Sequence, residues 1–474
     1  MTTDTTALVV DLDDTLVRTD LLLESALFAL KRDPVAALAA FASLAGGKAR
    51  LKDRLAALVD LRADLLPYND QVLALVRTRR EQGDAVVLAT ASHEKHAHTV
   101  AAHLGLFDEV YASTAELNLS GPSKAERLVE RFGEGGFDYA ADAAKDIAVW
   151  RRARRAIVVD PAPDTLAAVA GAGIPHEVLH TRERAFRPLI KALRPHQWLK
   201  NSLVFLPLFA AHLIGDPGAV LACVLAFVGF SLMASAGYLV NDLLDLEADR
   251  AHPRKCRRPF ASGALPIRVG LVLVPVLIGA ALLPALLWSP PLAGVLLLYL
   301  ATTLSYSLFL KQRPTVDVLT LAGLYTLRVI GGTVAIGVEL SFWLLAFSMF
   351  LFLSLAYIKR YAELVSLGRD GERWPSGRGY SVDDLPLVQS LGVAAGYGAV
   401  LVMALYINSP EIDLLYRHPD VMWLVCPILL YWVVRTWTIA HRGLMHDDPL
   451  VFALDDRVSL ATILAAGVVV VLAV

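Results

Sequence analysis

Residues 241–263 read NDLLDLEADRAHPRKCRRPFASG and place acids, then bases, between two apolar stretches. Charged side chains are costly next to hydrocarbon, so a dense group of them beside a membrane indicates a function. Asn241, Asp242, Asp245 and Asp249 form the pattern N-D-x-x-D-x-x-x-D. Because spacings of three and four return to the same face of a helix, the three aspartates are predicted to lie together.

Carboxylates held this close repel one another, and a divalent cation relieves the repulsion. Mg²⁺ takes oxygen ligands and commonly binds through one or two carboxylates together with substrate phosphates. The bases that follow can bind the remaining phosphate charge, although they could also form a solvated loop that only sets the membrane topology. The ordered pattern favours a catalytic metal and diphosphate site with these candidate residues: Asn241, Asp242, Asp245 and Asp249 for Mg²⁺, and Lys255 and Arg258 for phosphate.

Composition divides the chain into two parts. Its 474 residues are 56% hydrophobic and its mean hydropathy is +0.52, more apolar than an ordinary soluble protein. Residues 1–198 are rich in charged side chains, whereas 199–474 consist mostly of apolar runs. The formal net charge of -2 argues against a nucleic-acid binder. The cysteines show no metal-like spacing, which fits a reducing compartment: Cys223, Cys256 and Cys426.

The apolar part contains segments long enough to cross a bilayer, which takes roughly 20 residues in a helix. We expect nine spans, at 199–215, 219–240, 267–288, 291–310, 316–337, 341–358, 386–407, 421–440 and 457–474. Lys and Arg concentrate in alternate loops, Arg373 and Arg378 among them, while the other loops carry only Arg417. By the positive-inside rule, this predicts a multi-pass cell-membrane protein with a cytoplasmic N-terminal domain and an external C-terminus.

The aspartate pattern resembles the first aspartate motif of the UbiA-type membrane prenyltransferases, and the resemblance covers about 190–474. It implies an all-α bundle of nine transmembrane helices around a central cavity, with an Mg²⁺ and diphosphate site on the cytoplasmic side. Five further stretches resemble the decaprenyl-phosphate phosphoribosyltransferase branch: RPHQWLKN (194–201), YSLFLKQRPTVDV (306–318), LYTLRVIGG (324–332), IKRYAEL (358–364) and HDDPLVFALDDRVS (446–459). They supply these candidate substrate-binding residues: Lys200, Tyr306, Lys311, Asp317, Arg328, Lys359 and Arg360.

The resemblance to this branch implies transfer of a phosphoribosyl group from phosphoribosyl diphosphate to a polyprenyl phosphate in the membrane. Metal and bases would stabilise the leaving diphosphate. Asp317 and Arg328 fall within a predicted span, where ionised groups usually face a cavity, and no second D-x-x-x-D surrounds Asp317. The other candidates have structural alternatives: an interfacial aromatic for Tyr306, a topology charge for Lys311, a salt-bridge cluster for Lys359, Arg360 and Glu363, and helix caps for Asp455 and Asp456.

The N-terminal part alternates short apolar strands with helical segments, which indicates a doubly wound parallel α/β sheet. Strands are predicted within ALVVDLDDTLVRTD (7–20), AVVLATAS (85–92) and ARRAIVVDP (153–161). Acids follow the first strand directly, and such sheets bind their ligands at the carboxyl ends of the strands. The sequence therefore predicts a second site in this part of the chain.

The D-x-D-x-T pattern of Asp11, Asp13 and Thr15 resembles the first motif of the haloacid-dehalogenase-like phosphatases, over about 6–175. The resemblance implies that Asp11 forms an aspartyl-phosphate, that Asp13 is the general acid and base, and that residues 20–80 form a helical cap that excludes water. It assigns phosphate contacts to Thr90 and Lys124, and Mg²⁺ to Asp142 and Asp146 together with Asp11 and Asp13. The alternative is a catalytically silent scaffold, since ADAAKD lacks the family's usual Gly and Ser.

We expect three segments: a phosphatase-like domain at 1–180, an interfacial helix at 181–198, and a membrane transferase domain at 199–474. A fused phosphatase could remove phosphate from the product of the membrane domain and draw the reaction forward. The alternatives are a prenyltransferase that moves a polyprenyl group to an aromatic acceptor, and a transporter or membrane scaffold. The absence of a detectable internal repeat in the sequence argues against the transporter.

Overall fold

The computed structural model describes residues 6–182, 186–369, 379–445 and 448–474. Four residues named above lie outside this described part of the chain: Arg373, Arg378, His446 and Asp447. The chain forms two compact units, Met1–Leu193 with Leu239–Leu273, and Arg194–Tyr238 with Val274–Val474. The first unit therefore contains both the N-terminal domain and the aspartate motif.

A six-stranded parallel sheet forms the centre of the N-terminal domain, in the order β3-β2-β1-β4-β5-β6. Its strands are β1 (Ala7–Val10), β2 (Val86–His93), β3 (Glu109–Ser113), β4 (Phe137–Ala141), β5 (Arg155–Val159) and β6 (His176–Leu179). β1 pairs with β2 on one side and with β4 on the other. The parallel sheet expected from the alternating strands and helices is confirmed.

The central strands β1, β2 and β4 are buried on both faces, which explains why β1 and β2 read as mostly apolar runs, whereas the edge strands β3 and β6 are partly exposed. Side chains alternate between the two faces of a strand. Leu8 and Val10 of β1 join one apolar core, while Ala7 and Val9 join another on the opposite face.

In the described part of the first 193 residues, nine helices accompany the sheet: α1 (Leu21–Arg32), α2 (Pro34–Ala42), α3 (Lys48–Leu58), α4 (Asp70–Glu81), α5 (Glu94–Leu104), α6 (Pro122–Phe132), α7 (Ile147–Trp150), α8 (Pro163–Gly171) and α9 (Phe186–Leu193). Aspartates cap the first two, because Asp20 accepts from the amide of Leu23 and Asp33 from that of Ala36. Helices α1 to α3 bury a small apolar core of their own around Ala37. The segment expected to form a cap is therefore helical.

Helices α10 to α20 complete the chain: α10 (Leu206–Ala210), α11 (Pro217–Leu244), α12 (Leu246–Ala251), α13 (Ile267–Trp288), α14 (Pro290–Leu308), α15 (Val316–Ile336), α16 (Phe342–Arg369), α17 (Leu385–Ile407), α18 (Val425–His441), α19 (Pro449–Asp455) and α20 (Arg457–Ala473). Within the described residues, seven helical segments are long and apolar enough to cross a membrane. An eighth span results if α19 and α20, which meet at a bend of 79°, are counted as one. The chain is a multi-pass membrane protein, but nine spans are not confirmed.

The first expected span, 199–215, is not one helix. It folds as a 3-10 segment (Pro195–Phe205), the short helix α10 and a further 3-10 turn (Leu213–Gly215). Pro207 lacks an amide hydrogen and fits best in the first turn of a helix, where no intrahelical donor is needed, and α10 begins beside it. His212 then adopts a left-handed conformation, with φ of 55°, and ends the helical path.

Glycines allow close approach where this broken segment packs on α15. A Cβ atom added to Gly332 would lie 2.0 Å from the backbone oxygen of Val204. No side chain fits in that space, so only glycine permits the contact. The contact brings the segment Pro195–Phe205 against the C-terminal half of α15, which positions the polar groups described below.

Helix α5 carries a buried histidine beneath the cap. His96 is 4% exposed, its Nε2 lies 3.3 Å from the Ser25 hydroxyl of α1, and its Nδ1 has no hydrogen-bond partner among the described residues. Burial lowers the pKa of His96 to about 4. The nearby side chains His93 and Lys95 lower the pKa of His96 further.

We predict that acid destabilises this region through His96. The pKa of His96 is lower in the folded state than the 6.5 of an unfolded histidine, so the unfolded state binds the proton first as the pH falls. The free energy of unfolding is therefore highest above pH 6.5 and decreases as the pH falls towards 4. Between pH 6.5 and 5 the loss should be about 2 kcal/mol, since one pKa unit corresponds to about 1.36 kcal/mol. Hydrogen exchange of α5 amides measures the opening free energy directly.

The substitution His96→Leu should remove this pH dependence. His98 lies on the same helix but is exposed, so His98→Leu is the matched control and should leave the slope unchanged. Equal slopes in all three proteins would contradict the assignment to His96.

Candidate active sites

The first candidate site lies at the carboxyl edge of the parallel sheet. Asp11 follows β1, Thr90 lies near the end of β2, and Asp142 follows β4. Parallel strands end at the same edge, so these side chains converge although they are far apart in sequence. Lys124, from the first turn of α6, is 1% exposed and reaches the same point.

A buried network connects these residues. The Lys124 ammonium donates to Asp11 Oδ1 at 3.0 Å and to the Tyr139 hydroxyl at 2.7 Å. The Tyr139 hydroxyl donates in turn to Asp146 Oδ1 at 3.0 Å. One lysine thus compensates two buried carboxylates, which fixes their positions before any ligand binds.

Three carboxylates of this site are placed to hold a metal ion. Oxygens of Asp11, Asp142 and Asp146 lie within 4.8 Å of one another. Oδ2 of Asp11 and Oδ2 of Asp146 are buried without a hydrogen-bond partner among the described residues. Burial and the neighbouring carboxylates raise the pKa of Asp142 to about 8, and burial raises that of Asp146. Orphaned carboxylate oxygens of this kind suit the hard, oxygen-seeking Mg²⁺.

Asp13 lies beside this trio and not within it. Its Oδ2 accepts from the Ser92 hydroxyl at 2.6 Å and its Oδ1 accepts from the Leu21 amide at 2.9 Å. Burial, with Asp20 and Asp11 next in effect, raises the pKa of Asp13 to about 7. A carboxyl group that holds its proton near neutral pH is suited to acid and base chemistry.

Sequence reasoning missed Tyr139, Ser92 and Lys145 in this site. Burial lowers the pKa of Lys145, yet the surrounding carboxylates, Asp11 first among them, outweigh burial and raise it. Ser92 could have been found two residues after Thr90 at the end of the same strand. Tyr139 reads as a core aromatic, and its sequence context carries no signal of its polar role.

The second candidate site is the aspartate motif. Asp242 lies in the last turn of α11 and Asp249 lies in α12, and both are 2% exposed. A single guanidinium nitrogen of Arg258 lies 3.0 Å from Asp242 Oδ1 and 2.7 Å from Asp249 Oδ2. The two carboxylates are therefore arranged around one positive charge, and their oxygen donors fit Mg²⁺. Burial raises the pKa of Asp249, against the opposing effect of Arg258.

The third aspartate of the motif turns to a different partner. Asp245 Oδ1 accepts from the Lys31 ammonium of α1 at 2.5 Å. Beside this contact, the Arg250 guanidinium forms a bidentate pair with Glu24 of α1, at 2.6 and 3.0 Å. Within the first compact unit, the cap helix α1 is thus ion-paired to the motif. Sequence reasoning missed Lys31 and Glu24, since nothing in their sequence spacing links them to residues more than 200 positions away.

The second unit holds a buried ion-pair cluster. Arg360 and Asp317 are both fully buried, with Arg360 Nε 2.7 Å from Asp317 Oδ2. The Tyr306 hydroxyl donates to Asp317 Oδ1 at 2.8 Å, and Glu363 contacts the same guanidinium. The structure therefore brings together four residues from two separate stretches of the sequence, 306–318 and 358–364.

A second buried cluster in this unit centres on Asp448, which sequence reasoning missed. The ammonium groups of Lys200 and Lys359 both donate to Asp448 Oδ2 at 2.8 Å. The Tyr325 hydroxyl donates to Asp448 Oδ1 at 3.0 Å. The carboxylate also caps α19 by accepting from Leu450. The Asp-Pro step at the start of that helix was the available signal, since a residue before proline is disfavoured within a helix.

Arg328 is held by protein groups on every side. Its guanidinium, 4% exposed, donates to Asn201 Oδ1 at 2.7 Å, to the Leu324 carbonyl oxygen at 2.5 Å and to the Tyr299 hydroxyl at 2.8 Å. The rings of Tyr299 and Tyr325 lie within cation–π distance of it. The structure thus places this arginine in a closed network that ties α15 to the segment before α10.

The remaining candidate residues lie near helix ends or in turns. Asn241 is half-buried near the end of α11, and Lys255 is exposed in the turn after α12. Lys311 lies in the 3-10 turn Leu310–Gln312 between α14 and α15. Asp456 caps α20 by accepting from Ser459 at 2.7 Å and pairs with Arg435, whereas Asp455 is exposed.

Two family models match this chain. The UbiA prenyltransferase family matches residues 203–367, and the haloacid dehalogenase-like hydrolases match residues 8–156. The decaprenyl-phosphate phosphoribosyltransferase of Mycolicibacterium smegmatis is 34% identical over 276 residues, which cover 57% of this chain and 87% of that protein. This chain belongs to the UbiA prenyltransferase family. It is an enzyme, a membrane transferase that also carries a haloacid dehalogenase-like hydrolase domain.

Another bacterial protein is similar to this chain along nearly the whole length of the chain, across both domains. The protein y4nM of Sinorhizobium fredii is 36% identical over 456 residues, which cover 95% of this chain and 88% of that protein. Among solved structures, a UbiA homologue from Archaeoglobus fulgidus bound to GPP and Mg²⁺ is 17% identical, with a TM-score of 0.47, and the match covers 60% of this chain and 99% of that one.

We predict that Asp448 is essential for the stability of this UbiA-family chain. The substitution Asp448→Ala leaves the ammonium groups of Lys200 and Lys359 without their shared carboxylate, and Lys200 is 7% exposed. Removing one partner of a buried ion pair costs about 3 to 5 kcal/mol. The apparent Tm of the purified protein in detergent should fall clearly.

Asp455 provides the control, because it lies seven positions along the chain and is exposed. Asp455→Ala should change stability by no more than about 0.5 kcal/mol. An Asp448→Ala protein as stable as this control would show that the cluster contributes nothing to the fold.

Proposed function

We propose that the membrane domain transfers a 5-phosphoribosyl group from phosphoribosyl diphosphate to a polyprenyl phosphate. The bond between the anomeric carbon and the diphosphate breaks, and its electron pair leaves with the diphosphate. An oxygen of the polyprenyl phosphate forms the new bond to that carbon. The observation that carries the proposal is the pairing of Asp242 and Asp249 around one cation, in a chain similar to a protein named decaprenyl-phosphate phosphoribosyltransferase.

The aspartate motif is the proposed diphosphate site. Mg²⁺, held by Asp242 and Asp249 with Asn241 and Asp245 nearby in sequence, would supply positive charge for the leaving diphosphate. Arg258 already contacts both carboxylates and can donate to phosphate oxygens from the same position. Lys255, exposed a few residues away, can add to the charge that the diphosphate meets.

The buried bases of the second unit are the proposed phosphate ligands for the rest of the substrates. Lys200 and Lys359 converge on one carboxylate oxygen of Asp448, so they converge equally on a phosphate oxygen that displaces it. Arg360, Asp317 and Tyr306 form a rigid wall that positions substrate, and Arg328 holds the fold around Asn201. Lys311 is proposed to contact a phosphate at the end of α14.

The cytoplasmic side is the proposed location of the N-terminal domain, with the C-terminus on the outer side of the cell membrane. The bases that follow the aspartate motif support this orientation by the positive-inside rule. Phosphoribosyl diphosphate is charged and water-soluble, so its binding site must open to the aqueous phase in which it is made.

A transfer assay tests this proposal. Purified protein is given phosphoribosyl diphosphate labelled in the ribose, together with a polyprenyl phosphate and Mg²⁺, and label is counted in the organic phase. Asp242→Asn should lower turnover by about a hundredfold or more, because electrostatic stabilisation of the leaving group is lost. Glu247→Gln, in neighbouring α12, is the matched control and should retain activity.

The alternative function is transfer of a polyprenyl group from prenyl diphosphate to an aromatic acceptor. Label that stays in the aqueous phase, while prenyl diphosphate and an aromatic acceptor react, would establish that alternative. The family to which this chain belongs is named for prenyl transfer, which supports this alternative function.

We further propose that the N-terminal domain is a phosphatase that acts on the phosphorylated product of the membrane domain. The Asp11 carboxylate attacks phosphorus, and Asp13 gives its proton to the departing alcohol oxygen. Water, deprotonated by Asp13, then hydrolyses the aspartyl-phosphate. Lys124 compensates the charge on Asp11, Thr90 contacts the phosphate, and Asp142 and Asp146 are the proposed Mg²⁺ ligands with Asp11.

Hydrolysis of a generic phosphate ester tests the phosphatase. Asp11→Asn should lower the rate by roughly 10³-fold or more, since the nucleophile acts as a unit with its partners. Asp70→Asn changes an exposed acid of the same domain and should leave the rate unchanged. Equal rates in the Asp11→Asn protein and the wild type would establish the scaffold alternative.

A further inference from the structure

The cap brings one lysine to the catalytic edge of the sheet. Lys52, from α3, donates to the carbonyl oxygen of Ala91 at 2.5 Å and to Asn118 Oδ1 at 2.6 Å. Ala91 directly precedes Ser92, whose hydroxyl donates to Asp13 at 2.6 Å. The Lys52 ammonium therefore lies next to the group that holds the proposed general acid.

The hydrogen-bond partners of Lys52 do not neutralise its positive charge. Both acceptors are neutral oxygens, and among the described residues they use two of the three ammonium hydrogens. Burial lowers the pKa of Lys52, while Asp13 opposes that effect, so the two side chains interact electrostatically. An anion that reaches the third hydrogen gains a charge-assisted hydrogen bond, which is about twice as strong as a neutral one.

The reacting phosphate already has its own cations. Lys124 contacts Asp11 directly, and Lys145 lies close enough to Asp11 and Asp13 for their charges to raise its pKa. Lys52 comes from the cap, and it lies close enough to Lys145 and Lys124 for their charges to lower its pKa. It therefore adds a third positive charge at this edge of the sheet, beyond the two that serve the reacting phosphate.

We infer that Lys52 determines the specificity of the N-terminal domain by binding a second phosphate group of its substrate. The substrate class is a sugar phosphate that carries one phosphomonoester, which is hydrolysed, and one further phosphate on the same sugar. This deepens the proposed phosphatase function and rests on it. It also agrees with the proposed transfer reaction, whose product carries a phosphodiester at the anomeric carbon and a monoester at the 5-position.

Two soluble probes test the inference in the full-length protein: ribose 5-phosphate, with one phosphate, and ribose 1,5-bisphosphate, with two. The wild type should show a higher kcat/KM for the bisphosphate. Lys52→Met should lower that value by about tenfold to a hundredfold, as expected for a lost hydrogen bond to a charged group. The kcat/KM for ribose 5-phosphate should change less than threefold, and Lys52→Arg should retain most of the preference.

Lys95 supplies the matched control, because it also fastens the cap to the sheet domain. Its ammonium donates to the carbonyl oxygens of Ala56 and Val59 and to Asp60. Lys95→Met should affect the two probes equally. If Lys52→Met also lowers both probes equally, Lys52 only fastens the cap, and the inference is wrong.

A binding measurement separates this inference from the phosphatase proposal. In the Asp11→Asn background, calorimetry gives the Kd of each probe without hydrolysis. Loss of the preference for the bisphosphate on adding Lys52→Met supports the role of Lys52, even if the wild type hydrolyses neither probe and the phosphatase proposal fails. An unchanged ratio of the two Kd values overturns the inference about Lys52.

Discussion

Repulsion between clustered carboxylates is the constraint on which both candidate sites depend. Asp11, Asp142 and Asp146 crowd the edge of the sheet, and Asp242 and Asp249 face each other across one arginine. Like charges brought this close are unstable without a cation between or beside them. In each site a base of the chain supplies part of that charge, and the carboxylate oxygens are ligands that suit Mg²⁺.

In the second unit, buried charges are compensated by ion pairs between side chains of the protein. Charges taken from water are expensive unless they are paired and hydrogen-bonded. Arg360 with Asp317, and the two lysines with Asp448, meet that condition within the protein. Such pairs are preorganised, and a phosphate that enters can replace a carboxylate at little reorganisation cost. The same contacts stabilise the fold, and the proposed function uses them to bind anionic substrates.

Helix α1 connects the two chemistries within the first compact unit. Its first residue, Leu21, donates an amide hydrogen bond to Asp13, and Glu24 and Lys31 further along contact the aspartate motif. The Glu24–Arg250 pair is bidentate and largely buried, so it is sensitive to small shifts of the helix. One helix thus contacts both Asp13 of the first candidate site and the region of the aspartate motif.

The sequence by itself determined the elements and much of the candidate chemistry. The continuous apolar run of β1 and the apolar runs of the membrane helices express local rules, and these survive in the structure. The aspartate spacing survives in part, because Asp242 and Asp249 share Arg258 while Asp245 pairs with Lys31. The broken first span was not foreseen, because Pro207 and the left-handed His212 act through backbone geometry that hydropathy does not measure. Only the tertiary structure placed Lys52 beside Ser92, Lys31 on Asp245, and Lys200 with Lys359 on Asp448. Those contacts join distant parts of the chain, and which distant charges meet is decided by packing, not by local sequence.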